Sequence, residues 1–95
     1  MALTFYLRGN AWMEFGRLDL ALADYDAALA LNPMLAAALA NRGTVWAQTG
    51  DFDRAIADYG TALRINPHDV GTRKNLAIAL EQKYESETRS PVVLN

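Results

Sequence analysis

The feature of this sequence that most constrains its fold is an internal repeat with a period of 34 residues. The stretch from Ala36 to Pro67 repeats the residues before it. A shift of 34 positions superposes several identical residues: Arg8 on Arg42, Gly9 on Gly43, Trp12 on Trp46, Gly16 on Gly50, Asp24 on Asp58, Tyr25 on Tyr59, and Asn32-Pro33 on Asn66-Pro67. A period of this length is typical of a solenoid, in which one structural unit stacks on the next.

Each unit is predicted to consist of two helices joined by a glycine turn. The first helix is predicted from Ala2 to Phe15, where large apolar residues are not confined to one face. The second is predicted from Leu18 to Leu31, where apolar residues recur at helical spacing, and Gly16 ends the first helix before it. Asn32-Pro33 ends the unit, because the residue before a proline is pushed out of the helical region and proline starts the next helix well. The same pattern predicts helices over 34–49, 52–65 and 70–85.

This pattern resembles the tetratricopeptide repeat, a helix-turn-helix with a small residue and an aromatic on its first helix, glycine at the turn, spaced Ala, Tyr and Ala on its second helix, and a closing proline. The resemblance covers two full repeats and the first helix of a third. It implies an all-α protein, an α-solenoid of antiparallel helix-turn-helix repeats with five helices in a right-handed superhelical stack. The implied units are a first repeat over 1–33, a second over 34–67, a capping helix over 68–87 and a flexible tail over 88–95.

The two ends of the stack are predicted to differ. The fifth helix would pack Leu76, Ala77, Leu80 and Tyr84 inward and present a polar outer face, as the terminal unit of a solenoid requires. The helix from Ala2 to Phe15 offers no such polar face. Its large apolar residues predict self-association through Leu3, Phe5 and Phe15, either in a homodimer or higher oligomer; the alternative is that earlier repeats of a longer protein cover them.

The resemblance also implies a peptide-binding groove, lined by the first helix of each repeat. Carried onto this sequence, the groove residues are Tyr6, Asn10, Met13, Asn41, Thr44, Gln48, Lys74 and Ile78. Relatives that hold acidic chaperone tails use two asparagines and three cationic residues in this groove. This chain has Asn10 and Asn41 at the asparagine sites, but Tyr6, Gly71 and Asn75 at the cationic ones, so an acidic chaperone tail is not the expected ligand.

Two ion pairs are predicted, Arg8 with Asp24 and Arg42 with Asp58, because an arginine fork suits a partly buried carboxylate. Pairing within each repeat satisfies both aspartates, since Leu76 stands where a third arginine would fall. Four independently solvated charges are the alternative. If the pairs are buried, Asp58→Ala should destabilise the fold by a few kcal/mol, and Arg42→Leu by less.

The residue composition argues against catalysis and favours a binding function. His68 is the only histidine and cysteine is absent, so no catalytic triad, metal site or cofactor site is expected. Asp51 and Asp53 fit helix capping better than a calcium loop. The net charge of −2 and the scattered Lys and Arg residues argue against nucleic acid. We therefore expect a cytoplasmic, non-enzymatic adaptor or scaffold that binds a protein or peptide and does not insert into a membrane.

Overall fold

A computed structural model describes residues 1–88 and contains five helices. They are α1 (Ala2–Glu14), α2 (Leu18–Leu31), α3 (Ala36–Gln48), α4 (Phe52–Ile65) and α5 (Val70–Thr88), and no strand occurs among these residues. The helices pack in chain order, each against the next. The predicted all-α solenoid is confirmed. The predicted tail lies outside the described residues, apart from Thr88, which ends α5.

The turns between helices follow from single residues. Gly16 and Gly50 have φ values of +77° and +87°, the left-handed region that glycine enters without steric cost. Between the repeats, Asn32 Oδ1 accepts a hydrogen bond from the Met34 amide at 3.1 Å. This Asx turn holds residues 32–35 out of the helix, so α3 begins at Ala36, two residues later than predicted.

The fifth helix is longer than its counterparts because it lacks the glycine that stops them. Tyr84 occupies the position of Gly16 and Gly50 in the 34-residue register. With no residue suited to positive φ, the helix continues through this point to Thr88. The extension brings Lys83 Nζ to 3.0 Å from Asp53 Oδ1, which raises the pKa of Lys83 by hydrogen bonding and charge attraction and ties α5 to the start of α4.

Each repeat is centred on a tyrosine packed against a glycine. Tyr25 is fully buried, and a Cβ added at Gly9 would lie 2.7 Å from its ring. Tyr59 is buried in the same way against Gly43, where an added Cβ would lie 2.8 Å from the ring. The two helices of each repeat therefore approach closely at these glycines.

The outward face of α5 differs from the prediction. Ala79 and Thr72 are buried against the preceding repeat and Leu76 is half-buried, but Leu80 and Tyr84 are exposed. The prediction that Ala77, Leu80 and Tyr84 pack inward, leaving a polar outer face, is wrong, because all three are exposed. In the 34-residue register these side chains lie on the side where a second helix of the third repeat would pack, and none follows α5 within residues 1–88.

Candidate functional site

The two predicted ion pairs form within their repeats, and each is bidentate. Arg8 donates from Nε and Nη2 to the two oxygens of Asp24 at 2.7 and 2.9 Å. Arg42 donates in the same way to Asp58 at 2.8 and 2.9 Å. Both carboxylates are buried, whereas the arginine side chains are 61% and 24% exposed respectively. The Arg8 guanidinium lowers the pKa of Asp24, as expected for a carboxylate held by a charged donor.

Arg42 also makes a contact between repeats that sequence reasoning missed. Its Nη1 donates to Asp26 Oδ1 of α2 at 2.8 Å, so one guanidinium joins α2, α3 and α4. The sequence carries a signal for this contact. One repeat further along, the counterpart of Asp26 is Gly60 of the second repeat and the counterpart of Arg42 is Leu76 of the third, so the carboxylate and the arginine are lost together.

The predicted groove residues on α1 and α3 belong to a hydrogen-bond network. Asn10 Oδ1 accepts from the Tyr25 hydroxyl and, at 2.8 Å, from Asn41 Nδ2. In the second repeat Thr44 takes the place of Asn10, with its hydroxyl 2.8 Å from that of Tyr59. Burial raises the pKa of Tyr25 to about 12 and raises that of Tyr59 in the same direction.

This network leaves two amide atoms for a ligand. Asn10 Nδ2 and Asn41 Oδ1 have no hydrogen-bond partner among residues 1–88. No buried side-chain nitrogen or oxygen in that range lacks a partner, so both atoms are open to solvent. They supply one donor and one acceptor, which match the carbonyl and amide groups of an extended peptide backbone.

Two clefts run between the first helices of the repeats. The cleft between α1 and α3 has a volume of about 270 Å³ and is lined by Asn10, Met13, Glu14 and Asn41. The cleft between α3 and α5 has a volume of about 230 Å³ and is lined by Thr44, Ala47, Gln48, Tyr59, Asn75, Ile78, Ala79 and Gln82. The structure thus places six of the eight predicted groove residues in two adjoining clefts.

The other two predicted groove residues lie outside these clefts. Tyr6 is half-buried with its ring centroid 6.2 Å from that of Tyr25, so it supports the network from one side. Lys74 is exposed. A larger hollow, of about 420 Å³, lies near the start of α4, but its Lys83 and Asp53 already neutralise each other.

The three predicted self-association residues do not share one face of α1. Leu3 is 60% exposed and Phe15 is 78% exposed. Phe5 is half-buried against the core cluster, with the Arg8 guanidinium 5.8 Å from its ring centroid. Residues two apart on a helix point in nearly opposite directions, so Leu3 and Phe5 cannot contact the same partner surface.

No group of three or more His, Asp or Glu residues that could hold a metal ion occurs in the described part of the chain. Nor is any helix there long and apolar enough to cross a membrane. The residues that line the two clefts offer hydrogen bonds, as Asn10, Asn41 and Thr44 do, and apolar contacts, as Met13 and Ile78 do.

Five helices in two and a half repeats define an all-α repeat solenoid. The sequence matches the family model of the tetratricopeptide repeat over residues 6–70, so the chain belongs to the tetratricopeptide repeat family, whose members act in protein–protein interaction. No curated protein matches the sequence significantly.

Solved structures share the fold. MamA, a protein known from its crystal structure, superposes with a TM-score of 0.84 at 28% identity over 86% of this chain and 45% of its own. The first tetratricopeptide domain of Spaghetti (RPAP3), bound to the HSP90 peptide SRMEEVD, gives 0.83 at 21% identity over 85% of this chain and 64% of its own. A tetratricopeptide repeat domain protein from Salinibacter ruber gives 0.65 at 19% identity over 95% and 100%. The chain spans about half the length of MamA and about two thirds of the Spaghetti chain.

Proposed function

We propose that this protein is an adaptor or scaffold that binds an extended peptide in the groove formed by the two clefts between α1, α3 and α5. The observation that carries the proposal is the pair of free amide atoms, Asn10 Nδ2 and Asn41 Oδ1, held in place by Tyr25. A fixed donor and acceptor cost little entropy to use, so they suit recognition of a peptide backbone. Met13 lines the same cleft as these atoms and Ile78 lines the cleft between α3 and α5, and both would receive apolar side chains.

The groove favours a neutral peptide over an acidic one. The Spaghetti domain binds a peptide that contains two glutamates and an aspartate. The corresponding cationic sites of this chain hold Tyr6, Gly71 and Asn75. Of the nearby cations, Arg73 is already engaged, because its Nη2 donates to the Pro67 carbonyl at 2.7 Å. Binding should therefore depend weakly on salt.

The test is selection of peptides from a displayed random library, followed by affinity measurements on purified variants. Selected peptides should bind wild type and lose at least about tenfold in affinity to Ile78→Arg, which fills the cleft with a charged side chain. Ala57→Arg, on the exposed side of α4, is the matched control and should bind like wild type. If the peptides bind Ile78→Arg as well as wild type, the groove is not the site. A steep loss between low and high salt would instead indicate an acidic ligand held by Lys74.

Self-association is the second candidate, and the exposure of Leu3 and Phe15 favours it. Its test is the particle mass by light scattering, compared between wild type and Phe15→Glu. A dimer that Phe15→Glu dissociates would support this candidate, and a wild-type monomer at high micromolar concentration would reject it.

A further inference from the structure

The side of α3 that faces α2 shows how one repeat receives the helix before it. Ala38 and Val45, four residues before and three residues after Arg42 on the same side of α3, are fully buried. Arg42 lies beside them and donates its Nη1 to Asp26 of α2 at 2.8 Å. A small apolar surface and one charge-assisted hydrogen bond therefore hold α2 on α3.

The same side of α1 carries the same kind of residues, but no helix of residues 1–88 lies on it. The positions 34 residues before Ala38, Arg42 and Val45 are Thr4, Arg8 and Ala11, and all three are exposed. Leu7, 55% exposed, and Phe15 extend this surface at spacings of four residues from Ala11. We refer to Thr4, Leu7, Arg8, Ala11 and Phe15 as the docking face.

Arg8 has one nitrogen to spare on this face. Asp24 occupies its Nε and Nη2, as Asp58 does in Arg42. The remaining nitrogen, Nη1, has no partner among residues 1–88, whereas the Nη1 of Arg42 holds Asp26. Because Asp24 fixes the guanidinium plane, this donor is already oriented for a carboxylate.

We propose that the docking face binds a partner helix whose apolar side carries one carboxylate, with that carboxylate on Arg8 Nη1 as Asp26 is on Arg42 Nη1. A second copy of α1 would not meet this requirement. Glu14 is the only acidic residue of α1, and it lines the cleft beside Asn10 and Asn41. Two copies of α1 packed through their docking faces would leave both Arg8 donors without a carboxylate.

The probe for this site is a fluorescently labelled synthetic peptide of residues 17–32, which contains α2 with Asp26. It should bind the full chain, and the same peptide carrying Asp26→Asn should bind about three- to fivefold more weakly, the size expected for a solvent-accessible charge pair. Ala11→Arg in the protein should weaken binding of the unsubstituted peptide by about tenfold or more, because a long charged side chain occupies the centre of the face. Ala57→Arg, remote on α4, should leave it unchanged.

The proposal is overturned if the peptide does not bind, if it binds Ala11→Arg as well as wild type, or if the Asp26→Asn peptide binds as well as the unsubstituted one. A wild-type dimer that Ala11→Arg dissociates would assign the face to a second copy and overturn it as well. Circular dichroism checks that Ala11→Arg folds, and Phe15→Glu serves as the second blocking variant. The Ile78→Arg protein should still bind the probe, so a failure of the docking-face proposal can be told apart from a failure of the peptide-groove proposal.

Discussion

The first and second repeats have the same internal framework but different surroundings. In each, an arginine of the first helix holds a buried aspartate of the second, and a glycine receives a buried tyrosine ring. The second repeat lies between two neighbours, and Arg42 uses its third nitrogen to reach one of them. Within residues 1–88 the first repeat has a neighbour on one side only, and Arg8 is largely exposed. The arginine at this repeat position therefore contributes differently to the free energy of unfolding in the two repeats, depending on what packs beside it.

The repeats also differ at the start of their second helices. Asp51 caps α4 by accepting a hydrogen bond from the Arg54 amide at 3.1 Å. Arg17 occupies the equivalent position before α2 and makes no such bond, because its side chain has no acceptor. The first repeat thus begins its second helix with a backbone amide less well satisfied.

The largest expected effect is the loss of Arg42. Arg42→Leu should destabilise the fold by about 3–5 kcal/mol, because it leaves buried Asp58 without its partner and also removes the bond to Asp26. Arg8→Leu should cost less than Arg42→Leu, since it breaks no contact between repeats. Urea unfolding measures both. Equal losses would show that the Arg42–Asp26 bond contributes nothing.

Urea unfolding also shows which partner of the Arg42–Asp58 pair is more costly to remove. Asp58→Ala should cost less than Arg42→Leu, because Arg42 keeps Asp26 and part of its guanidinium stays in water. This reverses the order expected from the sequence, which predicts the arginine substitution to be the milder one.

Next in size are the glycines under the tyrosine rings. Gly9→Ala should cost about 1–2 kcal/mol, because the buried Tyr25 ring must shift to make room, which outweighs the better helix propensity of alanine. Gly43→Ala should cost more, since its Cβ would also lie 3.3 Å from the Ala55 carbonyl oxygen. Gly60→Ala is the control, with nothing within 4 Å of the added atom, and should stabilise by up to about 1 kcal/mol. A stabilised Gly9→Ala would contradict the packing argument.

Substitutions at the two helix N-caps should each change the free energy of unfolding by about 1 kcal/mol, in opposite directions. Asp51→Ala removes the bond to the Arg54 amide and should destabilise the fold by about that much. Arg17→Asp should stabilise it, by supplying the missing cap to α2. Thermal unfolding of the two variants checks this. If Arg17→Asp lowers the midpoint, the existing contact of Arg17 with Asp19, at 3.5 Å, matters more than the cap.

The smallest effect concerns alkaline pH. Tyr25 has its pKa raised from 10.0 to about 12, so its contribution to stability is fully present below pH 10 and is lost as pH rises towards 12. At pH 10.5 the loss should be less than about 1 kcal/mol relative to neutral pH. Tyr25→Phe should reduce this slope. Some slope should remain, because the pKa values of Tyr59 and Lys83 are also raised. An unchanged slope would show that Tyr25 titrates normally.

Much of the candidate site could be predicted from the sequence, because the 34-residue register assigns each residue of one repeat a place in the next. The register predicted the ion pairs. The sequence, through its resemblance to the family, also put Asn10, Met13 and Asn41 on one surface. It did not show that the side-chain oxygen of Asn10 accepts hydrogen bonds from Tyr25 and Asn41. Nor did it show that Phe5 is half-buried, because the rotation of a helix against its neighbour depends on packing.

The sequence by itself determined the repeat, the five helices and the turn residues. These depend on local backbone preferences, such as the positive φ of Gly16 and Gly50, and on a period visible in one dimension. Only the tertiary structure decided which apolar residues are covered. Leu80 and Tyr84 have the spacing of a packed face, yet they are exposed because no helix packs on that side within residues 1–88. Arg8 and Arg42 occupy the same position in their repeats. Within residues 1–88, only Arg42 uses its third nitrogen, because α2 packs beside α3 and supplies Asp26.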